Sequence, residues 1–276
     1  MLTLYHYDRS TAAQRVRLGL EEKGLEWKSV IVDTALGDAS QRPDDFHKYN
    51  PKGLIPLLKD GAFTLPESTL ILEYLEDAYP NHINLRSKDP KEVAKMRLWM
   101  PKIEDGIHVA SRTIGVCIVN RHIYKKTDKE QLADYYAKMR DGVRKNNDKI
   151  NIEMGLESPL LPPSIQAFKE LFSEMDQHLQ SSKWLAGNSY SLADISLVVY
   201  LTRLSSFQMA PLWSKMTALN KWFEKITSEK PFYILVSYDG ENGFKLKNVF
   251  TGKNKFVKRN DLKKQKSLYG TIPLLN

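Results

Sequence analysis

Asn50-Pro-Lys-Gly-Leu-Ile-Pro-Leu-Leu58, the turn Lys59-Asp-Gly-Ala62, the run Phe63-Thr-Leu65 and then Glu67-Ser-Thr-Leu-Ile-Leu-Glu-Tyr-Leu75 make up the stretch that decides the fold. Leu54 to Leu58 has strand character interrupted by Pro56. Proline cannot donate to a ladder, so it marks an edge or a special turn, and a cis bond there would expose the backbone N–H and C=O of the preceding residue. The turn joins this strand to Phe63-Thr-Leu65. Ser68 then opens a helical pattern, Leu70, Ile71, Tyr74 and Leu75, which ends before Pro80. The order is strand, strand, helix.

Upstream, Leu2-Thr-Leu-Tyr5 reads as a strand, and Ala12 to Lys23 has the spacing of an amphipathic helix through Val16 and Leu20, with Ala13 and Leu18 flanking and Gly24 as its stop. Trp27 to Val32 is a second strand. The first eighty residues are therefore βαβ followed by ββα, a domain too small for a Rossmann fold. After a linker at 81–89 the chain turns almost wholly helical, with helices expected over Pro90–Lys125, Asp128–Asn151, Pro163–Gln180, Ser191–Phe207 and Pro211–Ser228. Ser191-Leu-Ala-Asp194 has the form of a capping box. The expected division is an α/β domain at 1–80, the linker, an all-helical domain at 90–239 and an extension at 240–276.

The 276 residues, 42% hydrophobic and 27% charged, suffice for a core without covalent staples and exclude collagen, disulfide mini-scaffolds and disorder. Cys117 is the single cysteine, so no intrachain disulfide and no cysteine-cluster metal site can form, and a reducing compartment is expected. The six histidines show no ligand spacing, so no metal is expected. The N-terminus lacks signal-peptide character, and the apolar run Ile195–Leu201 is too short to span a bilayer, so a cytoplasmic location without a membrane span is expected.

Two further pairs invite chemistry. Glu67-Ser68 and Ser10-Thr11 each stand at a helix start. Taken alone each is an N-cap, but a helix N-terminus with free amides and a hydroxyl also suits an anion such as a carboxylate.

In this order and spacing the features resemble the glutathione S-transferase family. The resemblance rests on Ser10-Thr-Ala-Ala-Gln-Arg-Val-Arg17 running into Leu20-Glu-Glu-Lys-Gly24, on Asn50–Pro56, on Glu67–Leu75 and on Tyr190-Ser-Leu-Ala-Asp194, and it covers residues 1–235. It implies a thioredoxin-like domain that binds glutathione, followed by an all-helical domain that completes a pocket for a hydrophobic electrophile, in a homodimer. Carried over by position, Ile55 offers its backbone to the cysteinyl part beside a cis-Pro56. Glu67 and Ser68 hold the γ-glutamyl end, and Gln41, Arg42 and Lys52 are the candidates for the glycyl carboxylate. A hydroxyl at the start of the first helix would stabilise the thiolate. Ser10 stands thirteen residues before Lys23, as the serine does in the phi and tau classes, with Thr11 next and Tyr7 third. The absence of a cysteine near Ser10 argues against redox chemistry of the omega type. Trp99, Ile103, Ile107, Tyr200 and Phe207 are the apolar candidates for the substrate pocket.

The region from Met96 to Gly115 and the insertion at 123–161 also look like the subgroup that cleaves β-aryl ethers with glutathione. The Asn-Ser pair of the bacterial etherase aligns with Ala12-Ala13 here, which counts against that activity. A non-enzymatic member that binds a protein partner is the reading from another class.

Of the net charge of +8, nine Lys/Arg against Glu241 and Asp261 place +7 in residues 240–276, leaving +1 for the body. Its lysines interleave with Phe244, Phe250, Phe256 and Tyr269. The extension reads foremost as solvated lysines with aromatics packed back on the body, and secondarily as a nucleic-acid contact of steep salt dependence.

Overall fold

The computed structural model describes residues 1–7, 9–32, 46–50, 53–139, 141–229, 233–239, 243–248 and 254–258. Its first sheet holds β1 (Leu2–His6), β2 (Trp27–Ile31), β3 (Leu57–Asp60) and β4 (Phe63–Pro66) in the order β2-β1-β3-β4. β1 runs parallel to β2, across the helix α1 (Thr11–Glu22), and antiparallel to β3, which pairs antiparallel with β4. A short helix α2 (Phe46–Tyr49), absent from the sequence reading, precedes β3, and α3 (Ser68–Ala78) follows β4. This is the thioredoxin-like domain.

The period of two along the strands sorts its core into two faces. Leu2, Leu4, Leu58 and Trp27 pack with Val16 and Leu20 of α1 and Ile71 and Leu75 of α3. Tyr5 and Leu57 pack on the opposite side with Val32 and Phe46. Gly24 has φ 67 and ends α1 with two hydrogen bonds, its own N–H to Glu21 O and the Leu25 N–H to Leu20 O at 3.0 Å each, a left-handed position that glycine fills without strain. Gly19 meets α3 so closely that a Cβ there would lie 2.3 Å from Leu72 Cδ2.

The second domain contains α4 (Pro90–Lys102), α5 (His108–Gly115), α6 (Arg121–Tyr124), α7 (Lys129–Lys138), α8 (Gly142–Met154), α9 (Leu161–Leu179), α10 (Leu192–Ser206) and α11 (Thr217–Glu229). Wide π-type turns at Ile103–Ile107 and Val116–Asn120 join α4, α5 and α6 into one bent rod, with Gly106 at φ 151 in the first of them. The expected helix over Asp128–Asn151 is two helices, because Asp141 accepts the Arg144 N–H at 3.0 Å and caps a new start. α10 is buried on all sides from Leu192 to Thr202. The main core gathers α4, α5, α9, α10 and α11 and takes in Leu18 of α1 and Leu72 of α3, so the two domains share apolar packing.

The expected boundary of the helical domain at 239 is too late. A three-stranded antiparallel sheet, β5 (Tyr233–Asp239), β6 (Gly243–Asn248) and β7 (Asn254–Lys258), begins inside it and continues into the basic extension. Phe244-Lys-Leu-Lys247 alternates apolar and charged residues, the period that marks a strand. No helix among the described residues is long and apolar enough to cross a membrane.

A buried ion pair ties the linker to both domains. Lys23 Nζ donates to Glu76 Oε1 at 2.9 Å and to Ile83 O at 3.0 Å, while Glu76 Oε2 accepts the Leu85 N–H at 3.1 Å. The two side chains are 1% and 2% exposed. Leu85 O in turn accepts the Leu192 N–H at 3.0 Å, at the start of α10. There the capping box is complete, and the buried Asp194 also accepts from Leu185 N at 3.1 Å and Trp222 Nε1 at 2.7 Å.

Lys23→Met is expected to cost about 3–5 kcal/mol in urea denaturation, because it strands the Glu76 carboxylate in the interior. A double-mutant cycle with Glu76→Gln should show a coupling of about 1–3 kcal/mol.

Candidate functional site

Sheet register brings the three separated motifs together. Tyr5 pairs with Leu57, and Leu57 pairs with Pro66, so the end of β1, the start of β3 and the end of β4 lie side by side. The segments that continue from these ends are Tyr7 to Ser10, Ile55-Pro56 and Glu67-Ser68. The Ile55–Pro56 peptide is cis. Asn50, buried, accepts the Gly53 N–H on its carbonyl at 2.8 Å and donates from Nδ2 to Leu54 O, which fixes the loop leading into that peptide. Gln41, Arg42 and Lys52 lie outside the described residues.

Ser10 is the N-cap of α1, and its Oγ accepts the Ala13 N–H at 3.1 Å. Acceptance leaves the hydroxyl proton free to donate to an anion at the positive end of the helix. Thr11 is placed differently. It is the first residue of the helix proper, and its side chain is buried. Tyr5 packs against Phe46 in the core, and Tyr7 has partners of its own. Of the hydroxyls weighed from the sequence, Ser10 has the geometry of an anion donor.

At the second helix start Glu67 takes φ 71, a left-handed conformation costly for a non-glycine residue and typical of functional sites. Ser68 follows as the first residue of α3, buried, its Oγ accepting from Arg15 Nε at 2.8 Å and Nη2 at 2.5 Å. The same Nη2 reaches Glu104 Oε1 at 2.7 Å, and Thr69 Oγ1 donates to that oxygen at 2.9 Å. Arg15 is 2% exposed, and its Nη1 is buried without a partner among the described residues. Burial works to raise the Glu104 pKa, but the Arg15 and Thr69 contacts outweigh it and hold the carboxyl below its ordinary value.

The sequence reading missed this cluster. Arg15 sits in the quoted motif but was not singled out, and Glu104, His108 and Arg112 recur every fourth residue along the bent rod. His108 Nδ1 lies 3.1 Å from Tyr200 Oη. Arg112 Nε donates to Asp148 Oδ1 at 3.0 Å, and its Nη2 to Oδ2. Burial, reinforced by Arg15, lowers the His108 pKa to about 4. Burial and the neighbouring Arg17 lower that of His6, whose Nε2 lies 2.7 Å from Ser29 Oγ, to about 2.

The apolar pocket candidates divide. Trp99, Ile103, Ile107 and Tyr200 are between 0% and 5% exposed and belong to the helical core, so they are packing residues in this structure. Trp99 is committed by its indole N–H, which donates to Leu185 O at 2.8 Å. Phe207 is half-buried beside Arg203, whose Nη2 donates to Arg9 O in the loop before Ser10. Cys117 is buried, and burial pushes its thiol pKa up. No group of His, Cys, Asp or Glu among the described residues could hold a metal ion.

Comparison with known proteins agrees with this geometry. The family model described as "Glutathione S-transferase, N-terminal domain" matches residues 4–83, and "Glutathione S-transferase, C-terminal domain" matches residues 163–230. The protein LigF of Sphingobium sp. strain SYK-6 is 29% identical over 195 residues, covering 70% of this chain and 75% of that protein. The glutathione S-transferase TCHQD of Arabidopsis thaliana is 29% identical over 213 residues, covering 74% and 77%. The crystal structure of the β-etherase LigF superposes with a TM-score of 0.73 at 26% identity, over 82% of this chain and 95% of that one. Glutathione transferase F7 of Populus trichocarpa shares the fold, with a TM-score of 0.62 at 24% identity over 83% and 94%.

His6 and His108 are neutral in the folded chain and titrate near 6.5 when unfolded. The unfolded state therefore binds more protons below that value, and stability falls as pH drops. Urea denaturation between pH 7.5 and 5 should show a loss approaching about 1.4 kcal/mol per pH unit for each histidine below about pH 6. His108→Gln should remove its share of that slope.

Proposed function

Because the chain belongs to the glutathione S-transferase family, we propose that it binds glutathione and transfers the glutathione thiolate to an electrophilic carbon of a hydrophobic acceptor. The observation that carries the reading is the convergence of Ser10, the Ile55–Pro56 peptide and the Glu67-Ser68 helix start on one end of the sheet. The Ile55 backbone would take the cysteinyl part of glutathione, and Glu67 with Ser68 the γ-glutamyl end. Gln41, Arg42 and Lys52 are the candidates for the glycyl carboxylate. A cytoplasmic homodimer belongs to the same reading.

A free thiol titrates near 8.5 and is mostly protonated at neutral pH. The Ser10 hydroxyl, at the positive end of α1, would donate to the thiolate and lower that pKa. The thiolate then forms the C–S bond to the acceptor carbon, and the leaving group departs with the electron pair of the bond that breaks.

The likeness to LigF across most of the chain favours one narrower reading, in which the broken bond is the C–O bond of a β-aryl ether and the leaving group an aryloxide. Ala12-Ala13, in place of the Asn-Ser pair, weighs against it.

Calorimetry with glutathione, and turnover of a chlorodinitrobenzene-type probe and an aryl-ether panel, test the two readings. Absence of glutathione binding would end both, and turnover of the first probe without the ethers would leave only the transferase. Ser10→Ala should lower kcat by about 10²-fold or more, as the loss of one donor to a developing anion does. It should also raise the pKa of the bound thiol, read from its ultraviolet absorbance against pH. Thr11→Val should leave that pKa in place, since the Thr11 side chain is buried.

A further inference from the structure

Among the described residues, four hydrogen bonds hold Ser10 and the peptide that precedes it. Three of them are local. The Ser10 N–H donates to Tyr7 O at 3.0 Å, its carbonyl accepts the Gln14 N–H at 2.9 Å, and its Oγ accepts the Ala13 N–H at 3.1 Å. The fourth comes from the other domain, where Arg203 Nη2 on α10 donates to Arg9 O across 194 positions of sequence. Arg9 O and the Ser10 N–H belong to one peptide. That unit is therefore pinned at both polar atoms, by its own turn on one side and by the helical domain on the other.

The guanidinium that makes this contact is itself supported. It lies 5.8 Å from the centroid of the Phe207 ring, at the C-cap of the same helix. The ring in turn rests on α5 at Gly115, where a Cβ would stand 3.5 Å from Phe207 Cζ. The last turn of α10 also sets the Arg203 cation against the negative end of that helix. Without it this negative end, one arginine side chain from Arg9 O, would oppose the positive end of α1. Burial, followed by repulsion from Arg17 and Arg9, lowers the Arg203 pKa to about 10, with the Tyr200 phenol acting in the other direction, so the group stays charged at neutral pH. Like charges oppose this placement, which makes the contact a weak source of folding stability. Its consequence is geometric.

We propose that Arg203 is a positioning residue of the thiolate site: its bond to Arg9 O orients the Arg9–Ser10 peptide so that the Ser10 hydroxyl meets the glutathione sulfur. The proposal rests on the transferase reading, in which Ser10 is the thiolate donor, and it makes the helical domain part of thiol activation. Small misplacement of a donor costs rate even where binding persists. A carbonyl that accepts from a cation also polarises its own peptide, which strengthens the N–H dipole at Ser10. Phe207, expected from the sequence in the substrate pocket, becomes the support of the guanidinium.

In the full-length protein, Arg203→Met removes the donor while keeping an apolar stem over Phe207. It should lower kcat with a chlorodinitrobenzene-type probe by about tenfold while changing KM for glutathione by less than about twofold. It should also raise the pKa of the bound thiol, read from its ultraviolet absorbance against pH. Arg203→Lys should restore part of both effects. Combined with Ser10→Ala, Arg203→Met should leave the bound-thiol pKa where Ser10→Ala alone puts it, because a residue that acts through Ser10 then has nothing to act on. A purely structural role would lower the melting temperature and leave that pKa in place, and this outcome overturns the proposal. A further rise of the pKa in the double variant overturns it too, since Arg203 would then act on the thiolate directly.

Failure of the transferase reading is seen separately, as absence of glutathione binding by the parent protein. Amide hydrogen exchange at Ser10 in the ligand-free protein tests the anchor in either case. Faster exchange in Arg203→Met than in the parent supports it, and equal rates overturn it.

Discussion

The contact between Lys23 and Glu76 is the constraint on which the two-domain arrangement rests. It is an ion pair out of water, and such a pair holds only when the remaining hydrogen-bonding capacity on both sides is used. Here the linker supplies it, through Ile83 O to the ammonium and Leu85 N–H to the carboxylate. The linker is thereby tied to the first domain through two backbone groups, while Leu85 buries its side chain in the core of the second. Its next bond, Leu85 O to the Leu192 N–H, lands on the first turn of α10, where Asp194 gathers Leu185, Ser191 and Trp222. A chain of short polar contacts thus fixes α1 and α3 relative to α10 and α11, and the shared apolar packing of Leu18 and Leu72 follows from that placement.

Because α1 is clamped at its C-terminal end by Lys23 and buried along its length, its N-terminus is delivered to a fixed point. Ser10 is held there by its own cap bond and by the Arg203 contact to Arg9 O. A helix enclosed on all sides would ordinarily be apolar, yet this one carries Gln14, Arg15 and Arg17 in buried positions. Arg15 gives the reason for one of them. It spans from Ser68 on α3 to Glu104 on the helical domain, so a single guanidinium links the two domains.

The sheet, the helix starts and the capping box were legible in the sequence because each depends on local chemistry. Gly24 ends a helix and Ser191 and Asp194 begin one for reasons contained within a few residues, whereas the strand expected over Leu54–Leu58 starts only at Leu57, after the proline that cannot donate to its ladder. The register that joins Tyr5, Leu57 and Pro66 is a pairing between strands distant in sequence, which no local motif states. The other wall was not legible. Glu104 meets Arg15, distant in sequence, only because a π-type turn with Gly106 at φ 151 re-aims the rod, and no pattern of apolar residues announces such a turn. Trp99, Ile103 and Tyr200 were read as pocket residues because an apolar stripe looks the same whether it faces a cleft or a core. In β6 and β7 lysines stand among apolar residues, a pattern that a solvated extension and a strand share.

This difference in legibility has a physical counterpart in how the two walls can vary. The first is built from backbone groups and helix termini whose positions are set by sheet register, so side-chain substitution changes it little. The second is built from side chains on a bent rod and on the helices of an insertion, whose polar residues touch one another across elements distant in sequence. Replacing Glu104, His108 or Arg112 would remove contacts to Arg15, Tyr200 or Asp148 without touching the sheet register. The helical side is therefore held by side-chain pairs such as Arg15–Glu104 and Arg112–Asp148, and the sheet side by backbone pairing.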